Sequence, residues 1–230
     1  MQQTYDAKKE WNKTLDDTMA WPSEYVIRIL KGNYPNLNFD KKSFVGKKFL
    51  DMGCGDGRNL LVANQMGFNV CGVEITKELV NRIKENLSNS GLEKFDIREG
   101  TNDNIPFSDG EIDYMLSWNA CYYMGNETND FQNYVKEFAR IIKKDGYLIL
   151  SIPKETCFIY KDSKELRPGY QIIQNDPFNV RNGEVLRMFS SFEEIENSFG
   201  EYFQDFKFAS IHDDCFGFDY HWYLAVCKRK

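Results

Sequence analysis

The residues best suited to chemistry lie in the segment Phe49–Asn59, where Gly53, Gly55 and Gly57 follow directly on the apolar run Lys48–Met52. Glycines at the end of a buried strand let the backbone approach a ligand with no Cβ in the way. Their GxGxG spacing departs from the GxGxxG fingerprint of dinucleotide sites. A second apolar stretch, Asn69–Val73, leads into Glu74, 21 residues beyond Gly53. A carboxylate at the end of a strand next to such a turn can accept both hydrogen bonds of a ribose diol. Each feature has a plainer explanation. The glycines could serve a structural turn, and an acid ahead of a helix N-terminus is favourable in its own right. Together they favour a bound ribose.

Alternating strand and helix patterns supply the elements that would hold these residues, as expected of an α/β domain with a mostly parallel sheet. The first strand is Lys48–Met52, followed by a helix over Arg58–Met66 that Gly67 stops. Asn69–Val73 is a second strand. Thr76 caps a helix reaching about Ser88, and Gly91 closes that unit. Phe95–Arg98 and Ile112–Ser117 are the third and fourth strands, separated by the turn residues Pro106, Ser108, Asp109 and Gly110. Asn129–Ile142 has apolar residues at helical spacing, and Tyr147–Ile152 is the fifth strand. Residues 153–190 show no clear period and read as an insertion or lid. Phe192–Phe199 is a short helix. Phe206–Ile211 and His221–Cys227 are the last strands, joined by a loop containing Gly217.

Composition narrows the classes. A chain of 230 residues with 42% hydrophobic and 28% charged residues suits one domain. A net charge of −6 argues against a nucleic-acid binder, which usually carries a basic face. The six cysteines are scattered without a CxxC pair, and only two histidines occur, so Cys/His metal spacing is absent and no metal is expected. Met1–Trp11 is too polar for a signal peptide, and no apolar run is long enough to cross a bilayer. A cytoplasmic protein with reduced thiols and no membrane partner is expected.

The ordered set Asp51–Gly57, Glu74, Gly100–Phe107 and Ile112–Trp118 resembles the motifs of class I S-adenosylmethionine-dependent methyltransferases. Glu137–Ser151 resembles that family's fourth helix and fifth strand. The resemblance implies a Rossmann-like fold: a mostly parallel seven-stranded sheet with an antiparallel last strand and helices on both faces. It divides the single domain into an N-terminal helical lid segment (1–44), a cofactor core (45–152), an insertion forming the acceptor region (153–190) and a C-terminal helix with a strand hairpin (191–230). Tyr5, Trp11 and Trp21 belong to that lid; an amphipathic helix capping the sheet is the alternative. The implied cofactor is S-adenosylmethionine, leaving as S-adenosylhomocysteine. Gly53 and Gly55 would border its methionine part, with Asp51 near the amino group and Arg58 and Asn59 reaching the carboxylate. Glu74 would hold the ribose and Ile75 pack on adenine. Thr101 and Asn102 stand where the family places an acid for the adenine amino group. Ser117 and Trp118 would lie beside the sulfonium, although core packing explains Trp118 equally well.

The same topology puts His212 at the end of the penultimate strand and His221 at the start of the last, on the sheet edge where ligands bind. Each is a candidate general base or substrate contact, with a surface histidine as the alternative. Tyr122, Arg181 and Arg187 are candidate acceptor contacts. Arginines that converge there would suit a phosphate or carboxylate. The nucleic-acid amino-methylation element, Asn/Asp-Pro-Pro-Tyr/Phe, is missing: Ser117-Trp-Asn-Ala stands in its place, and Asn175-Asp-Pro-Phe178 lies too late in the chain. Cys121 has no proline neighbour, as cytosine carbon methylation would require. The expected activity is therefore methylation of a small polar acceptor by a monomer or homodimer. O-methylation ranks ahead, with a sugar or a phosphorylated or carboxylated metabolite as the first choice. The alternatives are N-methylation of a small molecule or protein, a catalytically inactive cofactor-binding protein, or a nicotinamide-dependent oxidoreductase.

Overall fold

A computed structural model of the chain describes Asp6, Lys8, Lys9 and residues 19–230. Its centre is a seven-stranded sheet in the order β3-β2-β1-β4-β5-β10-β9. The first five strands are β1 (Lys48–Met52), β2 (Asn69–Glu74), β3 (Asp96–Glu99), β4 (Ile112–Trp118) and β5 (Ile142–Pro153). They pair in parallel, and β10 (Phe218–Arg229) runs antiparallel between β5 and β9 (Phe203–Cys215). The sheet predicted for the family is the sheet observed.

Burial follows from the strand sequences. In β4 the first six residues are all buried, as in a strand covered on both faces. Phe44, Phe49, Phe68 and Tyr114 pack ring against ring under one of those faces. The helices are α1 (Glu24–Lys31), α2 (Arg58–Gln65), α3 (Lys77–Asn89), α4 (Phe131–Ile141) and α5 (Phe192–Phe199). The cap read from the sequence is present: Thr76 Oγ1 accepts from the Leu79 N–H at 3.2 Å.

Two differences from the sequence expectation matter. The region 153–190 contains a second, three-stranded antiparallel sheet of β6 (Lys164–Arg167), β7 (Tyr170–Ile172) and β8 (Val185–Arg187). Strands this short carry too few residues to show an alternation. The final strands are also longer than expected. They meet in a tight turn at Phe216 and Gly217, both at positive φ (53° and 95°), as a two-residue hairpin turn matched to strand twist requires. Among the described residues, no helix is long and apolar enough to cross a membrane.

Candidate active site

The parallel strands β1, β2 and β4 end at one edge of the sheet, and a cavity of about 820 Å³ opens there. That volume lies within the range of small-molecule and cofactor sites. One end is built by the glycine turn and the termini of β2 and β3. The Gly55 N–H donates to Glu74 Oε1 at 2.8 Å, and the Ile75 N–H donates to Oε2 at 3.0 Å. Each oxygen therefore keeps acceptor capacity for a further donor. Burial raises the Glu74 carboxyl, and these two N–H groups pull it back down. An added Cβ on Gly55 would meet nothing within 4 Å, so this turn leaves open space facing the ligand.

Behind the turn, Asp51 is 1% exposed, and neither carboxyl oxygen has a hydrogen-bond partner among the described residues. Burial pushes it well above the usual carboxylate range, with the neighbouring Asn59 opposing. Asn102 donates through Nδ2 to the Ala120 carbonyl at 3.1 Å and leaves its buried Oδ1 unpartnered. Buried polar groups without partners are uncommon in a finished fold. Here one carboxyl and one carbonyl oxygen await donors beside the same cavity.

The other end is aromatic. Tyr122, Tyr123, Phe158, Phe178, Tyr220 and Trp222 line it together with Arg181. The Tyr220 and Trp222 rings stack at 3.9 Å between centroids. Arg181 Nε donates to the Tyr123 hydroxyl at 2.9 Å, and Nη1 donates to Asp176 at 2.7 Å.

Residues 50–150 match the methyltransferase domain family. The fold they belong to is that of solved S-adenosylmethionine-dependent methyltransferases. The Methanosarcina mazei enzyme superposes with a TM-score of 0.64 at 16% identity, covering 84% of this chain and 98% of that one. The YcgJ protein of Bacillus subtilis gives 0.59 at 18% identity, covering 83% and 96%. The matched stretch is less than half of the chain, and the sheet around it has the fold of these solved methyltransferases.

By sequence, YcgJ, an uncharacterized methyltransferase, is 30% identical over 103 residues, 45% of this chain and 39% of that protein. The 2-methyl-6-phytyl-1,4-hydroquinone methyltransferase of Synechocystis is 31% identical over 107 residues, 46% and 32% respectively. The chain spans less than half the length of these curated relatives.

Within the matched stretch, the cavity gathers Gly53, Gly55, Arg58, Glu74, Ile75, Thr101 and Asn102 from the sequence-predicted set, with Asp51 just behind. Other predicted residues sit elsewhere. Asn59 is buried, and its Oδ1 accepts the Ser23 N–H at 3.1 Å, anchoring the segment ahead of α1. The Thr101 hydroxyl is taken by Asp103 at 2.6 Å. Ser117 is fully buried, and neither it nor the half-buried Trp118 lines the cavity. For Trp118 the core-packing alternative describes its place.

Tyr122 and Arg181 line the aromatic end, but Arg187 does not. Its guanidinium is spent on the Gly169 and Met188 carbonyls and on Glu194, which ties β8 to α5. Neither histidine reaches the cavity. His212 and His221 are cross-strand partners with rings 4.7 Å apart, on the expected sheet edge. Side chains alternate along β10, however, so His221 points away from the face that Tyr220 and Trp222 turn to the cavity. His212 instead meets Lys154 Nζ at 2.5 Å, and His221 meets Thr156 at 2.9 Å. That same alternation, read from His221, would have singled out Tyr220 and Trp222. Tyr123, Phe158 and Phe178 carried no comparable signal. Of the lid aromatics, Tyr5 and Trp11 lie outside the described residues, and Trp21 is 91% exposed. Asp6 and Lys8 do line the cavity.

Proposed function

We propose that the chain transfers a methyl group from S-adenosylmethionine to an oxygen of a small acceptor. The observation that carries this reading is the pairing of Glu74, held by the Gly55 and Ile75 N–H groups, with the unpartnered Asp51 and Asn102 oxygens around one cavity. These groups fit the cofactor at three points. Glu74 suits a ribose diol, the Asp51 carboxylate an ammonium group, and Asn102 Oδ1 an adenine amino group. When bound, S-adenosylmethionine would supply an electrophilic methyl carbon: an acceptor oxygen would form the new C–O bond as the C–S bond breaks, the hydroxyl proton passing to water and S-adenosylhomocysteine leaving.

The residues of the chain bind, orient and exclude water, and orientation alone can supply much of the rate of such a transfer. Glu74 and Asn102 fix the nucleoside end. The aromatic end holds the acceptor, and there Arg181 Nη2 and Trp222 Nε1 have no protein acceptor among the described residues. Two spare donors favour an acceptor that presents oxygen atoms. The Synechocystis relative is named for a hydroquinone, a ring that carries oxygen substituents.

Calorimetry with S-adenosylmethionine and S-adenosylhomocysteine, followed by incubation with methyl-labelled cofactor and a metabolite panel, tests the reading. Binding of both and label on an oxygen are expected. Failure to bind either would overturn it, and label on nitrogen would refute the choice of oxygen.

A further inference from the structure

The aromatic end of the cavity combines a wall of ring faces with polar side chains of which several are already bonded within the protein. Phe158 lies 6.1 Å from both the Tyr220 and Trp222 ring centroids, and Phe178 lies 6.1 Å from Phe158. Most polar side chains around it are engaged by the protein itself. Tyr134 donates to the Met124 carbonyl at 2.8 Å, and Asn129 donates to that same carbonyl at 2.7 Å. Asn119 and Ser151 are linked side chain to side chain at 2.7 Å. Glu184 accepts from the Gly125 N–H at 3.1 Å. The Tyr123 hydroxyl is occupied by Arg181.

Trp222 and Arg181 each keep an N–H donor with no acceptor among the described residues. Trp222 is 2% exposed and its Nε1–H has no acceptor among the described residues; a buried N–H in that condition is costly until something accepts from it. Arg181 Nη2 is the second. Asp176, with a side chain wholly buried, spends Oδ1 on Arg181 Nη1 and Oδ2 on the Val180 and Arg181 N–H groups, which fixes the guanidinium in place.

A pyranose presents hydroxyls around its whole rim and needs a partner for most of them once water is excluded. A planar ring with one or two oxygen substituents needs only what this end offers, aromatic faces to pack on and two N–H donors. We infer that the methyl acceptor is a hydroxyaromatic compound whose ring packs on the Phe158, Tyr220 and Trp222 wall. A ring oxygen accepts from Trp222 Nε1 and Arg181 Nη2. This rests on the methyltransferase reading and moves the first choice of acceptor away from sugars.

The test uses the full chain saturated with S-adenosylhomocysteine and titrated calorimetrically with phenol, catechol and 4-hydroxybenzoate. The comparison probes are 4-hydroxycyclohexanecarboxylate and glucose 6-phosphate. At least one aromatic probe should bind tenfold or more tighter than both comparison probes. Trp222→Phe, which keeps a ring and removes the donor, should weaken that probe fivefold or more with S-adenosylhomocysteine affinity unchanged. Arg181→Lys keeps a cation beside the buried Asp176 and should act in the same direction, so the inference does not depend on one variant folding. Equal or tighter binding of the saturated ring or of glucose 6-phosphate overturns it. So does the absence of aromatic binding in protein that binds S-adenosylhomocysteine, or unchanged aromatic affinity in both variants. If S-adenosylhomocysteine itself does not bind, the methyltransferase reading fails first and takes this inference with it.

Discussion

Two carboxyl groups at the glycine turn are held in opposite conditions, and their substitutions should separate accordingly. Glu74 is buried but bonded to two N–H groups, ready for the charge-assisted hydrogen bonds of a diol. Removing it as Glu74→Ala should cost about 2–3 kcal/mol of cofactor affinity, roughly a 30–150-fold rise in Kd for S-adenosylhomocysteine by calorimetry. An unchanged Kd would remove Glu74 from the site. Asp51 is buried with neither oxygen paired among the described residues, and burial raises its carboxyl well above the ordinary value of about 3.9, with Asn59 opposing only in part. The ligand-free folded chain then keeps a proton that the unfolded chain releases. Its stability therefore falls as pH climbs from about 4 through the raised value. Asp51→Asn should abolish that slope, so the ligand-free variant should melt higher than the parent at neutral pH and alike near pH 4. It should also bind S-adenosylhomocysteine more weakly. Thermal melts across pH decide this, and parallel curves for the two proteins would show that Asp51 is not the titrating group.

At the scale of elements, the glycine turn serves two masters, and two alanine variants tell them apart. Gly53 sits at φ 69°, and an added Cβ would lie 2.6 Å from the Ala120 Cβ on the segment after β4. Gly53→Ala should cost about 2–4 kcal/mol through left-handed strain and overpacking, read as a lowered Tm. Gly55, at φ 61° but facing open space, should lose about 1–2 kcal/mol as Gly55→Ala. Its larger loss should be in S-adenosylhomocysteine binding, because the methyl group enters the ligand's space. Equal effects of both variants on Tm and on binding would contradict this division. The turn was legible in the sequence because glycines end an apolar run and an acid ends the next, signals that are local. The resemblance puts Asn59 at the ligand, whereas its contact with the Ser23 N–H, 36 residues away, has no local signal in the sequence. Strand direction puts the histidines on their sheet edge, and the face they take follows from the period-two alternation, which the edge argument does not use. The sheet β6-β7-β8 stayed hidden because strands of three and four residues leave little periodicity to read.

At the scale of the whole molecule, the cavity is a junction. The β1–β2–β4 edge supplies its glycine-turn end, the C-terminal hairpin brings Tyr220 and Trp222, and the stretch 176–184 brings Phe178, Arg181 and Glu184. The chain ahead of α1 is fastened to the same turn, with the Ala20 N–H on Asp56 at 2.7 Å and the Ser23 N–H on Asn59. The Tyr25 hydroxyl then reaches Asp213 of β9 at 3.0 Å. Such a site exists only when all of these segments are assembled, so a ligand that fills it binds the folded state alone. At about 100 times its Kd, S-adenosylhomocysteine should add about 2.7 kcal/mol to stability. For a domain of this size that corresponds to a Tm roughly 5–10 °C higher. Because the cavity is walled by both ends of the sheet, the gain should appear in one cooperative transition, with amide-exchange protection rising in β10 as well as in the glycine turn. Protection confined to residues 50–75 would mean that the ligand grips the turn without closing the junction. The aromatic end of the cavity would then be assembled by the acceptor itself, and protection in β10 would rise only when an aromatic probe is added to the S-adenosylhomocysteine complex.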